Sequence, residues 1–208
     1  MFDNFPVPSG NPKKGKWAIR GDVECLGQIE DAMEFVMGGG FAPLLGSPAS
    51  PIVCVRGNHD FIDLSPLFEG CNLVHEFIDN EVVEVLGKRI TGHRGIPYIH
   101  GTWSDEMTRE SLRLKLDAMP DADIFLTHYP PAGILDSEIS RGIEMGYGME
   151  GMREALARRM GDRGLHCFGH IHGSGGSVRE FGPGQFFGQV GHLHTYSNAA
   201  CNVNVIEV

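Results

Sequence analysis

Four apolar runs in this chain each stop at a polar cluster, and that repetition constrains the fold more than any other feature. "KWAIRGD" ends at Gly21 and Asp22, and "PIVCVRGNHD" ends at Asn58, His59 and Asp60. "ADIFLTHYPP" stops at His128 before two prolines, and "LHCFGHIHG" stops at His170 and His172. Short apolar or β-branched runs closed by Gly or Pro read as buried strands. In open α/β sheets, sites form in the crevice beyond the C-terminal ends of the strands. The four clusters are therefore expected to converge there.

The intervening segments support that reading. "VECLGQIEDAMEFVM", "DEMTRESLRLKLDAM" and "MEGMREALARRM" carry apolar residues at helical spacing, with Met149, Met152, Leu156 and Met160 on one side of the last. "FIDLSPLF" reads as a short helix. "NLVHEFI", "EVVEVLG" and "KRITGH" read as successive antiparallel strands, and the tail from Ser177 onward as further strands. Residues 1–15 read as an irregular arm and 16–208 as one domain. The alternation predicts an α/β class of stacked sheets flanked by helices.

Composition narrows the function. The chain has 208 residues and a formal net charge of −10, so a broad basic face for nucleic acid is not expected. A phosphorylated substrate stays open, because bound cations supply local positive charge. No apolar run is long enough to span a bilayer, so no membrane partner is expected. "MFDNFPVPSGNPKKGK" lacks the apolar core of a secretory signal. Five cysteines without a C-x-x-C spacing read as free thiols in a reducing compartment, which predicts a cytoplasmic protein.

Asp22, Asn58, His128, His170 and His172 together form a mixed oxygen and nitrogen donor set without thiolate. Such a set suits Mn, Fe, Zn or Ni better than an all-oxygen Mg or Ca cage. If His170 and His172 continue a strand, they share a face and aim at one point or at two neighbouring points. On its own an H-x-H pair is more simply two loop histidines; the other clusters give it partners. His59 lies beside Asn58. A free imidazole there is placed to act as general acid for a leaving alkoxide, with Asp60 to orient it.

"GNHD", "THYPPAGILD", "HCFGHIHGSGG" and "SNAACNVNV", in that order and with "RGD" at Asp22, resemble the calcineurin-like metallophosphoesterases, most closely their small MPPED-type branch. The resemblance covers residues 16–208. It implies a four-layer α/β/β/α sandwich with two mixed sheets. It implies that Asp22 resembles the carboxylate bridging two metals, that Asn58, His128 and His170 complete the second metal, and that His172 serves the first. It also implies that His59 stabilises or protonates the leaving group. The activity implied is hydrolysis of a phosphoester, a diester more than a protein phosphate, by metal-activated water, with Mn the leading metal and one or two ions per chain.

The family opens with a D-x-H motif that has no counterpart before Asp22. The expectation is a chain lacking the first strand, with a reduced first-metal shell and a sheet edge open to self-association. This departure supports an alternative reading, a catalytically impaired binding or scaffold protein, while His59 supports the enzyme. A weaker third reading is a metallohydrolase acting on a non-phosphate bond.

Other polar residues receive plainer readings. His192 and His194 read as part of a structural strand, with replacement of the missing first-metal donors as the alternative. His75 and His166 read as structural. His93 and His100 flank a loop that could line the substrate entrance. Arg20 and Arg56 are expected to pair with acids rather than phosphate. Trp103 and Tyr129 could shape an apolar rim. Met149, Met152 and Met160 read as core packing.

Overall fold

The computed structural model describes Glu34 and residues 50–63, 65–70, 75–99, 101–181, 193–200, 204 and 206. The "KWAIRGD" strand, Asp22, His100 and His192 lie outside these residues, and of the first expected helix only Glu34, which is helical, is described.

The largest element is a six-stranded mixed sheet. Its strands in chain order are β3 (Val82–Val85), β4 (Lys88–His93), β7 (Ala122–Thr127), β10 (Met160–Phe168), β11 (Ser177–Phe181) and β12 (His194–Asn198), arranged β11-β12-β10-β7-β4-β3. The four central strands run parallel, and both edges are antiparallel. Parallel neighbours deliver their C-terminal ends to one side, where His93, Thr127, Phe168 and Asn198 stand.

Each face of this sheet has a distinct cover. On one, Phe125 packs with Leu112 and Leu116 of α2 (Arg109–Ala118) and with Met152 and Leu156 of α3 (Met152–Ala157). Thr108 caps α2 by accepting from the Ser111 N–H, satisfying one of the donors a helix start leaves unpaired. Met149, Met152 and Met160 belong to this core, as core packing requires. On the other face, a Cβ built on Gly92 would collide with Val55 and Ile78. These residues directly follow β1 (Ile52–Cys54) and β2 (His75–Phe77), which form a small parallel sheet. Only a glycine lets the two sheets approach this closely. The result is a mixed α/β layering, the class the sequence predicts.

Two local expectations are corrected, and two small elements are added. β2 pairs parallel with β1 across the short helix α1 (Ser65–Gly70), not antiparallel with its successor. Helix α3 stops at Ala157, and Met160 opens β10 rather than closing the helix. A hairpin of β8 (Ser137–Ser140) and β9 (Ile143–Gly146) interrupts the stretch after "THYPP". A two-residue pair, β5 (Ile96–Pro97) with β6 (Glu106–Met107), ties down the ends of the loop that carries Trp103.

Candidate metal centre

Three of the predicted donors meet. Asn58 Oδ1 lies 2.7 Å from His128 Nε2 and 3.2 Å from His170 Nδ1. The two ring nitrogens are 3.1 Å apart. Each residue follows the end of a different strand, β1, β7 or β10, so the convergence is a product of topology rather than of local sequence.

Local structure fixes each donor. The turn after β1 is closed by Asp60, whose carboxylate accepts the Gly57 N–H at 2.6 Å, and by Asp60 N–H donating to Gly57 O. Asp60 thus holds the turn itself, and no bond from its carboxylate reaches His59 among the described contacts. A Cβ at Gly57 would lie 2.8 Å from the His128 ring, which explains the glycine: the imidazole packs flat over its backbone. The Asn58 carbonyl accepts from Ser104 N–H at 3.0 Å, tying the turn to the Trp103 loop. Arg56 donates to the Asp60 backbone carbonyl and faces the Asp105 carboxylate at 3.9 Å, so the acid it pairs with is Asp105.

His170 is set differently from the sequence expectation. β10 ends at Phe168, and His170 adopts a left-handed backbone with φ 66°. His172 begins a short 3₁₀ turn, His172–Ser174. The two-residue periodicity of a strand therefore does not relate them. They still line one cleft, because Asn198 anchors the intervening chain. Its buried amide donates to Ile171 O at 2.9 Å and Leu135 O at 3.0 Å and accepts from Ala200 N–H. A non-glycine residue in the left-handed region costs about 1–3 kcal/mol and persists where surrounding structure dictates it. Tyr129 is buried beneath His170, ring centroids 4.8 Å apart, rather than lying at a rim.

Electrostatics favour ligand-ready imidazoles. Burial, reinforced by His170, His59 and His172, pushes the His128 pKa down to about 3. Burial, with His172 and His59, pushes that of His170 down to about 4. Both rings are neutral at pH 7, each with a lone pair to offer. Donor atoms held ~2.1 Å from one transition metal at right angles to one another lie ~3 Å apart, the spacing of this triangle. The residues present fit a divalent transition metal. Among the described residues no group of three or more His, Cys, Asp or Glu side chains surrounds one point. This centre instead combines two imidazoles with an amide oxygen, and Asp22 falls outside the description.

The triangle sits in a cleft of about 470 Å³ lined by Asn58, His59, His128, His170 and His172 together with Trp103, Ile99, Phe168 and Glu138. His59 is exposed, and its ring packs against Trp103, tilted 51° to it with centroids 4.5 Å apart. Neither Trp103's contact with His59 nor the presence of Glu138 in the cleft was legible beforehand. Glu138 arrives on the hairpin, which Ser174 fastens by donating to Ser137 O.

The remaining histidines are placed elsewhere. His166 is fully buried and bonds Thr127 Oγ1 at 2.8 Å, a structural role as expected. His93 closes β4, fully buried against Asp79 at 3.3 Å, so it does not line an entrance loop. His194 opens β12, at the end opposite Asn198, and is buried. With Leu165 paired to Thr195 and Phe168 to Asn198, His194 lies a strand's length from the cleft and does not replace a first-metal donor.

The calcineurin-like phosphoesterase family model matches residues 19–174, and the chain belongs to that family. Over 131 residues it is 31% identical to Metallophosphoesterase domain-containing protein 1 of Homo sapiens and, equally, to that of Mus musculus. The alignment covers 62% of this chain but 36% of each relative. The chain thus spans about a third of the length of the curated relatives it matches. Among the described residues no helix is long and apolar enough to cross a membrane.

Proposed function

We propose that this protein is a metal-dependent phosphodiesterase, with Mn(II) its leading metal. The observation that carries the reading is the triangle of Asn58 Oδ1, His128 Nε2 and His170 Nδ1 with His59 beside it at the head of the cleft. In this reading those three side chains would hold one ion, with Asp22 and His172 as the further donors the resemblance implies for a second. What a bound divalent metal supplies here is a lowered pKa for attacking water and charge compensation on the phosphoryl oxygens. His59 is not a member of the triangle, so its imidazole is free to carry a proton to the departing oxygen. Asp60 and Gly57 keep the turn in shape so that Asn58 faces the metal while His59 faces the cleft. The cleft presents no Lys or Arg among its described lining residues. That absence suits the single negative charge of a diester better than a dianionic monoester.

The test is Mn(II)-dependent hydrolysis of bis(4-nitrophenyl) phosphate by the wild type and by Asn58→Ala. Turnover that requires the metal and disappears in Asn58→Ala is the expected result. A folded, metal-loaded wild type without turnover on aryl or alkyl diesters would overturn the reading and leave a binding or scaffold role.

A further inference from the structure

The cleft is lined by apolar side chains as well as polar ones, and this bears on which alcohol is released. We infer that Trp103, with Ile99 and Phe168, forms the subsite for the leaving group, and that this group is aromatic or flat and apolar. The inference rests on the phosphoesterase reading above.

The argument starts from His59. A group that protonates a leaving oxygen must lie within hydrogen-bond reach of it, so the rest of the leaving group extends along whatever adjoins His59. What adjoins it is the Trp103 indole, tilted 51° to the imidazole at 4.5 Å. Ile99 and Phe168 line the same cleft. The Trp103 loop is built to stay there: Ser104 N–H holds the Asn58 carbonyl, and Ile96 and Tyr98 N–H donate to Asp105 O and Met107 O on either side. An indole fixed in this way stacks an aromatic ring at little entropic cost. The wall that carries Glu138 comes from β8. Gly173 packs against Glu138 and Ser137 so closely that a Cβ there would lie 2.9 Å from the Glu138 backbone, which keeps this wall near the 3₁₀ turn. A carboxylate, with no Lys or Arg among the described lining residues, disfavours a leaving group bearing further phosphates. The subsite therefore selects an uncharged aromatic alcohol over a polyphosphorylated or small aliphatic one.

Two phosphonates, used as their monomethyl esters so that each carries the single charge of a diester, separate this subsite from the metal centre: benzylphosphonate, in which CH₂ replaces the leaving-group oxygen, and ethylphosphonate. Calorimetric titration of the Mn(II)-loaded full chain is expected to show benzylphosphonate binding about tenfold tighter, the value of one stacked ring. Trp103→Ala is expected to cut that preference below about threefold while leaving ethylphosphonate affinity within about twofold. Trp103→Phe, which keeps an aromatic face, is expected to retain most of it. Equal affinities in the wild type would overturn the subsite while leaving the phosphoesterase reading intact, as would a preference that Trp103→Ala does not change. Failure of both phosphonates to bind the metal-loaded protein would overturn the two together.

Discussion

Gly57 shows how much one residue carries at this site. Its hydrogen is the surface on which the His128 ring rests, so Gly57→Ala drives a methyl to within 2.8 Å of that ring. The turn itself tolerates alanine, because no left-handed backbone is required at this position. The expected outcome is a folded protein whose Mn(II) affinity, read by calorimetry, falls about tenfold or more, a loss of the order seen when a ligand's support is disturbed. His59 is expected to behave in the opposite way. His59→Asn leaves metal affinity unchanged and lowers turnover by about 10²-fold. The loss should be larger for an alkyl diester than for a 4-nitrophenyl one, because the poorer leaving group depends more on protonation. Equal losses on both substrates would remove the acid role from His59.

The identities of Asn58, His59, His128, His170 and His172 were legible because each follows an apolar run whose end is marked by Gly or Pro. Their roles were only partly legible. The sequence pattern gives His170 and His172 a shared strand face, whereas the strand stops at Phe168 and both residues lie beyond it. What joins them is Asn198, whose side chain reaches across from β12. Nothing within "HCFGHIHGSGG" shows that dependence.

At the scale of the element, the turn carrying His170 is the weak point. Its left-handed backbone is held by the Asn198 amide, which satisfies carbonyls of both Ile171 and Leu135. Asn198→Ala leaves these buried carbonyls unpaired and is expected to cost about 2 kcal/mol or more. Thermal unfolding measures that cost, and Mn(II) titration of the surviving folded protein should show weakened binding as the His170 turn loosens. Unchanged metal affinity would mean that β10 and Tyr129 alone fix His170.

The hairpin β8–β9 was missed for a physical reason. Its large apolar residues Ile139, Ile143 and Met145 are all exposed, so no alternation toward a core marks it. The parallel pairing of β1 with β2 was missed because short strands separated by a six-residue helix read equally well as a meander. By contrast, β7, β10 and α2 were legible because each buries one strong apolar pattern, with Phe125 and Leu112 fully inaccessible.

For the whole molecule, the sheet that delivers the ligands also sets an acid limit on stability. His166 of β10 is buried, its ring against Thr127 of β7, and burial pushes its pKa down to about 3 from an ordinary value of 6.5. The unfolded chain therefore binds a proton below pH 6.5 that the native chain refuses. Stability is fully present above that value and falls as pH drops toward 3, by up to ~1.4 kcal/mol per pH unit for each such histidine. The metal-free protein should melt at lower temperature at pH 5 than at pH 7, and His166→Gln should flatten that dependence by about one proton. A melting temperature independent of pH in this range would show that His166 is protonated in place.

Everything turns on whether Asn58, His128 and His170 face a metal. The most direct measurement is a crystal of the protein grown with Mn(II), with anomalous diffraction collected at the Mn edge. The expected result is a peak within about 2.3 Å of Asn58 Oδ1, His128 Nε2 and His170 Nδ1 together. A saturated crystal with no peak there, or with its Mn held by other side chains, would contradict the metal centre and the hydrolysis that depends on it.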